Sequence, residues 1–204
     1  IDIWQTTQEE DGSWTNPVSI DINTDGNDEA PFIHPDGQTM FFSSDGYPGM
    51  GGMDLFISRK NQDGKFSGPV NLGYPINTVS DENTIFVTAS GETAFYVSDR
   101  KEGLGGLDIY SFTLHKEMRP LKVTYAKGTV YDAISKKTLN AKFELIDLVS
   151  KLVVVQSFSN PENGSFLVCL PINKNYALNV SKDGYLFFSE NFSLKEKSDF
   201  QPFS

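Results

Sequence analysis

The strongest constraint on this chain is that its first half repeats itself. The run Asp28-Glu29-Ala30-Pro31-Phe32-Ile33 recurs as Asp81-Glu82-Asn83-Thr84-Ile85-Phe86. The run Asp36-Gly37-Gln38-Thr39-Met40-Phe41-Phe42-Ser43-Ser44-Asp45 recurs as Ser90-Gly91-Glu92-Thr93-Ala94-Phe95-Tyr96-Val97-Ser98-Asp99. The run Gly49-Met50-Gly51-Gly52-Met53-Asp54-Leu55-Phe56 recurs as Gly103-Leu104-Gly105-Gly106-Leu107-Asp108-Ile109-Tyr110, at an offset of about 53 to 54 residues. A partial third copy comes first: Asp2-Ile3-Trp4 aligns with Asp54-Leu55-Phe56, and Asp11-Gly12-Ser13-Trp14 with Asp63-Gly64-Lys65-Phe66. A repeat of this length is one supersecondary unit that buries its apolar faces by stacking on its neighbours.

The local chemistry of one copy predicts the unit. Ala30–Ile33 reads as a short strand and Pro35-Asp36-Gly37 as a turn, using the fixed φ of Pro and the positive φ open to Gly. Thr39–Ser43 is an apolar, β-rich strand, Gly46–Gly52 a loop, Asp54–Ser58 a third strand and Val70–Leu72 a fourth. Four strands in about fifty residues is the anatomy of a β-propeller blade. On this reading residues 1–22 carry the last two strands of one blade, 28–72 a whole blade, and 81–113 three strands with no clear fourth. Because a propeller closes with about four to eight blades, residues 1–113 are expected to be its C-terminal part, with upstream strands of the same polypeptide completing the ring.

The pattern changes after that. Residues 114–122 bring charge and Pro120 and read as a linker. Residues 123–195 then offer short apolar runs at Lys127–Asp132, Lys142–Leu148, Leu152–Phe158, Tyr176–Val180 and Leu186–Phe188. Asn163-Gly164 is placed as a hairpin turn and Lys182-Asp183-Gly184-Tyr185 as another turn. About seven short strands separated by turns predict a small antiparallel β-sandwich. Residues 196–204 read as a tail toward a further domain. The fold class expected is therefore all-β, a propeller segment followed by a sandwich.

Composition narrows the function. The net charge is −10 and the pI about 4.6, which repels phosphate backbones and argues against a nucleic-acid partner. No stretch is long and apolar enough to span a bilayer, so insertion by this segment is not expected. The one cysteine, Cys169, has no internal disulfide partner and reads as a buried strand residue. His34 and His115 lie in unrelated contexts, too sparse for zinc or a triad. No nucleophile elbow or phosphate loop occurs, because Gly49–Gly52 is followed by no helix. The chain is expected to be no enzyme and to need no cofactor.

Three groups remain as candidates. Asp21, Asn23 and Asp25, followed by Gly26, begin like a calcium loop, but Phe32 stands where a bidentate Glu is expected, and a turn entering the blade is the competing reading. The pairs Asp45/Asp54 and Asp99/Asp108 bracket the Gly-rich loops. They are expected to accept loop amides, with a cation or sugar hydroxyls as the alternative. Tyr47, Tyr74, Phe66 and Trp14 lie at or near loops and are expected to plug the spaces between blades, with stacking on a glycan or anchoring of a protein partner as the alternative; Tyr47, Met50, Met53 and Tyr74 are the candidate partner contacts.

Two resemblances follow from these motifs. Asp36-Gly37-x-x-Met40-Phe41-Phe42-Ser43-Ser44-Asp45, with Gly49-x-Gly51-Gly52-x-Asp54-Leu55-Phe56, resembles the PD40 repeat, the WD40-like, TolB-type propeller unit. Gly128-x-Val130-x-Asp132, Asn163-Gly164-x-Phe166, Tyr176 and Lys182-x-Gly184-Tyr185 are similar to carboxypeptidase regulatory-like, transthyretin-type modules. Their order resembles OmpA-family envelope proteins of Bacteroidota, among them PorE-type lipoproteins of type IX secretion. That resemblance implies a periplasmic, outer-membrane-associated scaffold. It implies as partner an outer-membrane β-barrel of the PorP/SprF type or another secretion component, and peptidoglycan through a domain outside this chain. A glycan- or peptidoglycan-binding module is the alternative.

Overall fold

The computed structural model describes residues 1–9, 12–61 and 63–194. It is all-β. The strands are β1 (Trp4–Gln5), β2 (Val18–Ser19), β3 (Asp28–Ile33), β4 (Thr39–Ser44), β5 (Asp54–Arg59), β6 (Val70–Asn71), β7 (Glu82–Val87), β8 (Thr93–Ser98), β9 (Asp108–Thr113), β10 (Val123–Thr129), β11 (Lys142–Asp147), β12 (Val153–Phe158), β13 (Ser165–Pro171), β14 (Asn175–Ser181) and β15 (Phe188–Ser193). No helix among the described residues is long and apolar enough to cross a membrane. The chain divides into two compact units between Pro120 and Leu121.

The first unit is three successive antiparallel sheets, ordered β1-β2, β3-β4-β5-β6 and β7-β8-β9. Strand β4 is buried along its whole length, without alternation, because both of its faces are covered. Met40, Phe42 and, from β5, Phe56 turn toward Ile3 and Ile22 of the preceding segment. Phe41, Leu55 and Ile57 turn the other way, toward Ile85 and Val87 of β7. The middle sheet thus supplies half of two separate cores.

Strand register corrects the first alignment. Asp28 faces Ser44 and Glu82 faces Ser98, so Asp28 corresponds to Glu82, not Asp81, and the repeat of β3 in β7 is displaced by one residue from the sequence match. Both strands carry a bulge at the same place, centred on Ala30 (φ 49°) and Thr84 (φ 45°). Left-handed backbone at Ala and at a β-branched Thr is rare and costs about 1–3 kcal/mol. Neither position carries the Gly or Asn that usually marks such backbone, which is why sequence comparison slid past it.

The linker expected over 114–122 is also corrected. Leu114 is buried in the core of the second and third sheets. Residues Lys116–Met118 form a short 3-10 turn. The Arg119 guanidinium donates to the Leu114 carbonyl at 3.0 Å and pairs with Glu92 at 3.2 Å. Arg59 donates to the carbonyls of Glu117 and Arg119 at 3.3 and 3.0 Å. The segment to Pro120 belongs to the first unit, and β10 starts at Val123.

The second unit has six strands among the described residues, in a two-stranded sheet β10-β13 and a four-stranded sheet β12-β11-β14-β15. Ala126, Val168 and Leu170 from the first meet Phe143, Leu145 and Tyr176 from the second in one apolar cluster, closed by Leu194. Strand β11 alternates as a half-buried strand should, with Phe143, Leu145 and Asp147 inward. Asn163-Gly164 is not a hairpin turn: it joins β12, which pairs with β11, to β13, which pairs with β10, so the chain changes sheet there. The strand expected at Leu186–Phe188 runs instead from Phe188 to Ser193, leaving Leu186 and Phe187 in an exposed loop. Asp11, Lys195 and the tail 196–204 lie outside the described residues.

Candidate functional site

A set of polar side chains in the first unit joins one sheet to the next. The carboxamide of Asn77, fully buried, accepts the N–H of Leu55 at 2.9 Å and donates to its carbonyl at 2.9 Å. Asn23 does the same to Ile3, at 2.9 and 2.8 Å. Glu82 N–H donates to the Met53 carbonyl at 2.8 Å, as Asp28 N–H does to the Ile1 carbonyl at 2.8 Å. Met53 N–H donates to Asp81 Oδ1 at 2.9 Å, and the Ile1 amino group to Asn27 Oδ1 at 2.9 Å. Each junction therefore has the same four bonds at the same four places.

The turn that carries the Asn is itself built from the repeat. Thr24 donates its N–H and its hydroxyl to Asp28 Oδ2 at 2.6 and 2.8 Å. Thr78 does so to Glu82, at 2.7 Å in both cases. These are the bonds of a capped turn, and they fix the direction in which Asn23 and Asn77 reach across.

The calcium-like segment is thereby accounted for. Asn23 is held by Ile3, Asp21 pairs at the surface with Lys65 at 2.9 Å, and Asp25 is exposed. Among the described residues no group of three or more His, Cys, Asp or Glu is arranged to hold a metal ion. The Asp pairs at the Gly-rich loops accept amides. Asp54 Oδ2 receives Met50 N–H at 2.6 Å, Asp108 Oδ2 receives Leu104 N–H at 2.7 Å, and Asp99 Oδ1 receives Asp81 N–H at 3.0 Å. Asp45 receives the N–H and the side-chain amide of Asn27 at 2.6 and 2.8 Å, and these bonds hold its carboxyl below the ordinary range. One oxygen of Asp28 and one of Asp54 are buried without a hydrogen-bond partner.

His34 is fully buried. Its Nδ1 accepts Asp36 N–H at 3.1 Å, which makes Nε2 the donor to the Thr88 carbonyl at 3.1 Å. His115, beside the 3-10 turn, is exposed and lies elsewhere. Cys169 is half-buried in β13, and burial pushes its thiol up from the ordinary value, away from the reactive thiolate.

The four expected contact residues separate. Tyr74 is 77% exposed and Met50 is exposed, and Met53 is half-buried in the Gly-rich loop. Tyr47 is a correction. Its ring packs on Phe42 and Phe56 at centroid distances of 6.3 and 5.3 Å, and its hydroxyl donates to the Ile22 carbonyl at 2.7 Å. It fills the space between sheets, the role expected for the loop aromatics, and not that of a partner contact. Phe66, half-buried, also packs against that core, while Trp14 is exposed.

No family model, no curated protein and no solved structure matches the chain. What the chain can do rests on its own geometry.

The second unit carries a feature that sequence reading missed. A groove of about 710 Å³ opens beside β10 and β14, lined in part by Tyr131, Ile134, Lys182, Tyr185, Leu186 and Phe187. Of these, Ile134, Leu186 and Phe187 are strongly exposed. The signal was present in Tyr185-Leu186-Phe187-Phe188, four large apolar residues in succession. A half-buried strand needs only every second one of them inward, so the excess had to face something else.

Proposed function

We propose that this chain is a non-catalytic scaffold: a segment of PD40-type β-propeller followed by a transthyretin-like sandwich, which binds protein in a bacterial cell envelope. The observation that carries the reading is the four-bond junction, repeated at Ile1/Ile3 and at Met53/Leu55. Side chains that could have formed a reactive cluster instead lock one sheet to the next, as radially stacked blades require. Equivalent residues of successive sheets also touch. Phe32 and Phe86 meet at 5.2 Å, and Asn83 donates to Glu29 at 2.7 Å. Inner strands that approach one another in this way fit blades converging on an axis.

Function then falls to loops, because the strands are occupied by their neighbours. Met50, Met53 and Tyr74 are the contacts we assign to a protein partner. The resemblance to OmpA-family envelope proteins implies its class, an outer-membrane β-barrel or another secretion component, and a periplasmic, outer-membrane-associated location. Purified chain immobilised on a sensor should bind such a barrel in detergent, and the triple Ser variant at 50, 53 and 74 should bind at least about tenfold more weakly. Equal binding by parent and variant would move the interface off these loops.

One observation favours a second reading, a glycan-binding module. The groove of the second unit presents Tyr131 and Tyr185 beside Asp132 and Lys182, flat rings with polar neighbours of the kind that stack on sugars. Calorimetry with peptidoglycan fragments separates the two readings: heat of binding lost in Tyr185→Ala supports the glycan, and its absence supports the protein scaffold.

A further inference from the structure

Asp28, Ser44 and Asp54 stand side by side on β3, β4 and β5, since Asp28 faces Ser44 and Ser44 faces Asp54 in register. Residues opposite one another on neighbouring strands share a face of the sheet. This is the face that turns Phe42 and Phe56, two residues along, toward the preceding segment. All three side chains are buried, at 0%, 0% and 1% exposure. Asp28 Oδ2 accepts the N–H and hydroxyl of Thr24, and Asp54 Oδ2 accepts Met50 N–H. Oδ1 of each Asp has no hydrogen-bond partner, and no Lys or Arg pairs with either among the described residues. Two carboxylates buried together without a counter-charge are costly, and a fold keeps such a pair only where something positive answers it.

The third sheet has the same row in Glu82, Ser98 and Asp108, and there the chain supplies the charge itself. Ser98 Oγ donates to Glu82 Oε1 at 2.9 Å, and the Arg100 guanidinium pairs with the same oxygen at 3.3 Å. The second sheet is closed to that solution twice over. Gly46 is the backbone counterpart of Arg100, because its N–H donates to Ser44 Oγ at 3.1 Å as the Arg100 N–H does to Ser98 Oγ at 3.2 Å. A Cβ on Gly46 would strike Thr24 Oγ1, so no side chain can enter from there. Asp28 is also one methylene shorter than Glu82 and makes no bond to Ser44, which leaves room between them. Tyr47 closes the row on the side of Phe42 and Phe56, where its ring packs. Burial first, and the Asp28 charge second, push the Tyr47 hydroxyl above its ordinary value.

We propose that the row Asp28–Ser44–Asp54 binds a small monovalent cation, sodium or potassium, through Asp28 Oδ1, Asp54 Oδ1 and Ser44 Oγ. The ion stands where the Arg100 guanidinium stands in the next repeat. A single positive charge suits the row, because the amide and hydroxyl donors on the two Oδ2 atoms already answer part of the negative charge. Calcium takes about six to eight oxygen ligands, more than these three side chains offer. A bridging water would satisfy the two oxygens but would leave the charge unanswered. A partner's Lys or Arg cannot be the occupant, because the row is closed to solvent.

Thermal melting of the full chain tests the site, with ionic strength held constant by tetramethylammonium chloride, whose cation is too large to enter. Both tryptophans, Trp4 and Trp14, lie in the first unit, so their fluorescence follows it alone. Replacing tetramethylammonium by sodium or potassium, from about 1 to about 100 mM, should raise the melting temperature by about 4 °C or more, because an ion that binds only the folded state stabilises it by mass action. Asp28→Asn and Asp54→Asn each remove one charge from the row and should each abolish the rise. Asp25→Asn, a change at an exposed carboxylate, should keep it. No rise in the parent overturns the proposal, and so does a rise that survives both Asn variants in the row. A rise given by millimolar calcium and not by sodium or potassium overturns it too. If neither of those variants folds, lithium, sodium, potassium and caesium at equal concentration decide. A built site selects by ionic size and should separate the best of them from the worst by about 2 °C or more, whereas equal melting in all four overturns the site.

Discussion

Tyr47 and Arg100 do the same work in successive repeats with different chemistry. The Tyr47 hydroxyl donates to the Ile22 carbonyl at 2.7 Å, and an Arg100 Nη2 hydrogen goes to the equivalent carbonyl of Ile76 at 2.7 Å. Tyr47 packs on Phe42 and Phe56, and the Arg100 guanidinium lies over the counterparts Tyr96 and Tyr110, at 5.3 and 4.8 Å. The guanidinium has a second task, because it pairs with the buried Glu82 at 3.3 Å. Tyr47 offers no such charge to Asp28, which keeps one oxygen without a partner.

This relationship predicts an asymmetry. Arg100→Ala leaves a buried carboxylate without its counter-charge and should cost about 3 kcal/mol. Tyr47→Phe removes only one hydrogen bond and should cost about 1 kcal/mol, whereas Tyr47→Ser also opens a cavity and should cost about 2–3 kcal/mol. Urea denaturation of the three variants, followed by tryptophan fluorescence, gives the order. Arg100→Ala milder than Tyr47→Phe would contradict the account.

How much of this could be read from the sequence depends on where each signal lies. Strands β3, β4, β5, β7, β8 and β9 were legible because apolar runs bounded by Pro35-Asp36-Gly37 or Ser90-Gly91 and by Gly-rich segments announce them. The exchange of Tyr47 for Arg100 was not, since the two residues do not align and become equivalent only through what they touch. The Asn23 and Asn77 match was visible, but an Asn beside Asp residues reads locally as a ligand or a turn. Its bond to a backbone 20 or 22 residues away leaves no local trace. The sheet change at Asn163-Gly164 failed for a related reason: a tight turn fixes the path of the chain, not the partner of the strand that follows.

Calcium gives a second prediction. Because Asn23 is engaged with Ile3 and Asp21 with Lys65, millimolar calcium or a chelator should move the melting temperature by less than about 1 °C. Asn23→Ala should lower it by about 4–8 °C, corresponding to roughly 1–2 kcal/mol in a unit of this size. A calcium-dependent rise that disappears in Asn23→Ala would restore the ligand reading.

Partner binding gives a third. Met50, Met53 and Tyr74 make few core contacts, so replacing them with Ser should leave the melting temperature within about 2 °C of the parent while weakening the barrel partner. Tyr47→Ser should behave in the opposite way, melting earlier and, at temperatures where the variant remains folded, binding as the parent does. A triple variant that unfolds would show these side chains to be packing residues.

The last prediction concerns acid. Asp147 is buried at the end of β11. Burial opposes its charge, but the Lys174 ammonium at 2.5 Å and the N–H groups of Val149 and Ser150 at 2.8 and 3.2 Å outweigh it, and the carboxyl sits below its ordinary value of 3.8. A group whose pKa is lower folded than unfolded stabilises the fold above the unfolded value, and that contribution disappears as pH falls through the folded value. Asp147→Asn should therefore destabilise the second unit by about 2–3 kcal/mol at pH 7. The gap between variant and parent should close progressively below pH 3.8, where the parent loses the same charge. Amide exchange in β11 and β14, read from pH 7 down to pH 2.5, follows the second unit alone. A gap that stays constant across that range would mean that shape and hydrogen bonding, rather than the Asp147–Lys174 pair, hold this corner together.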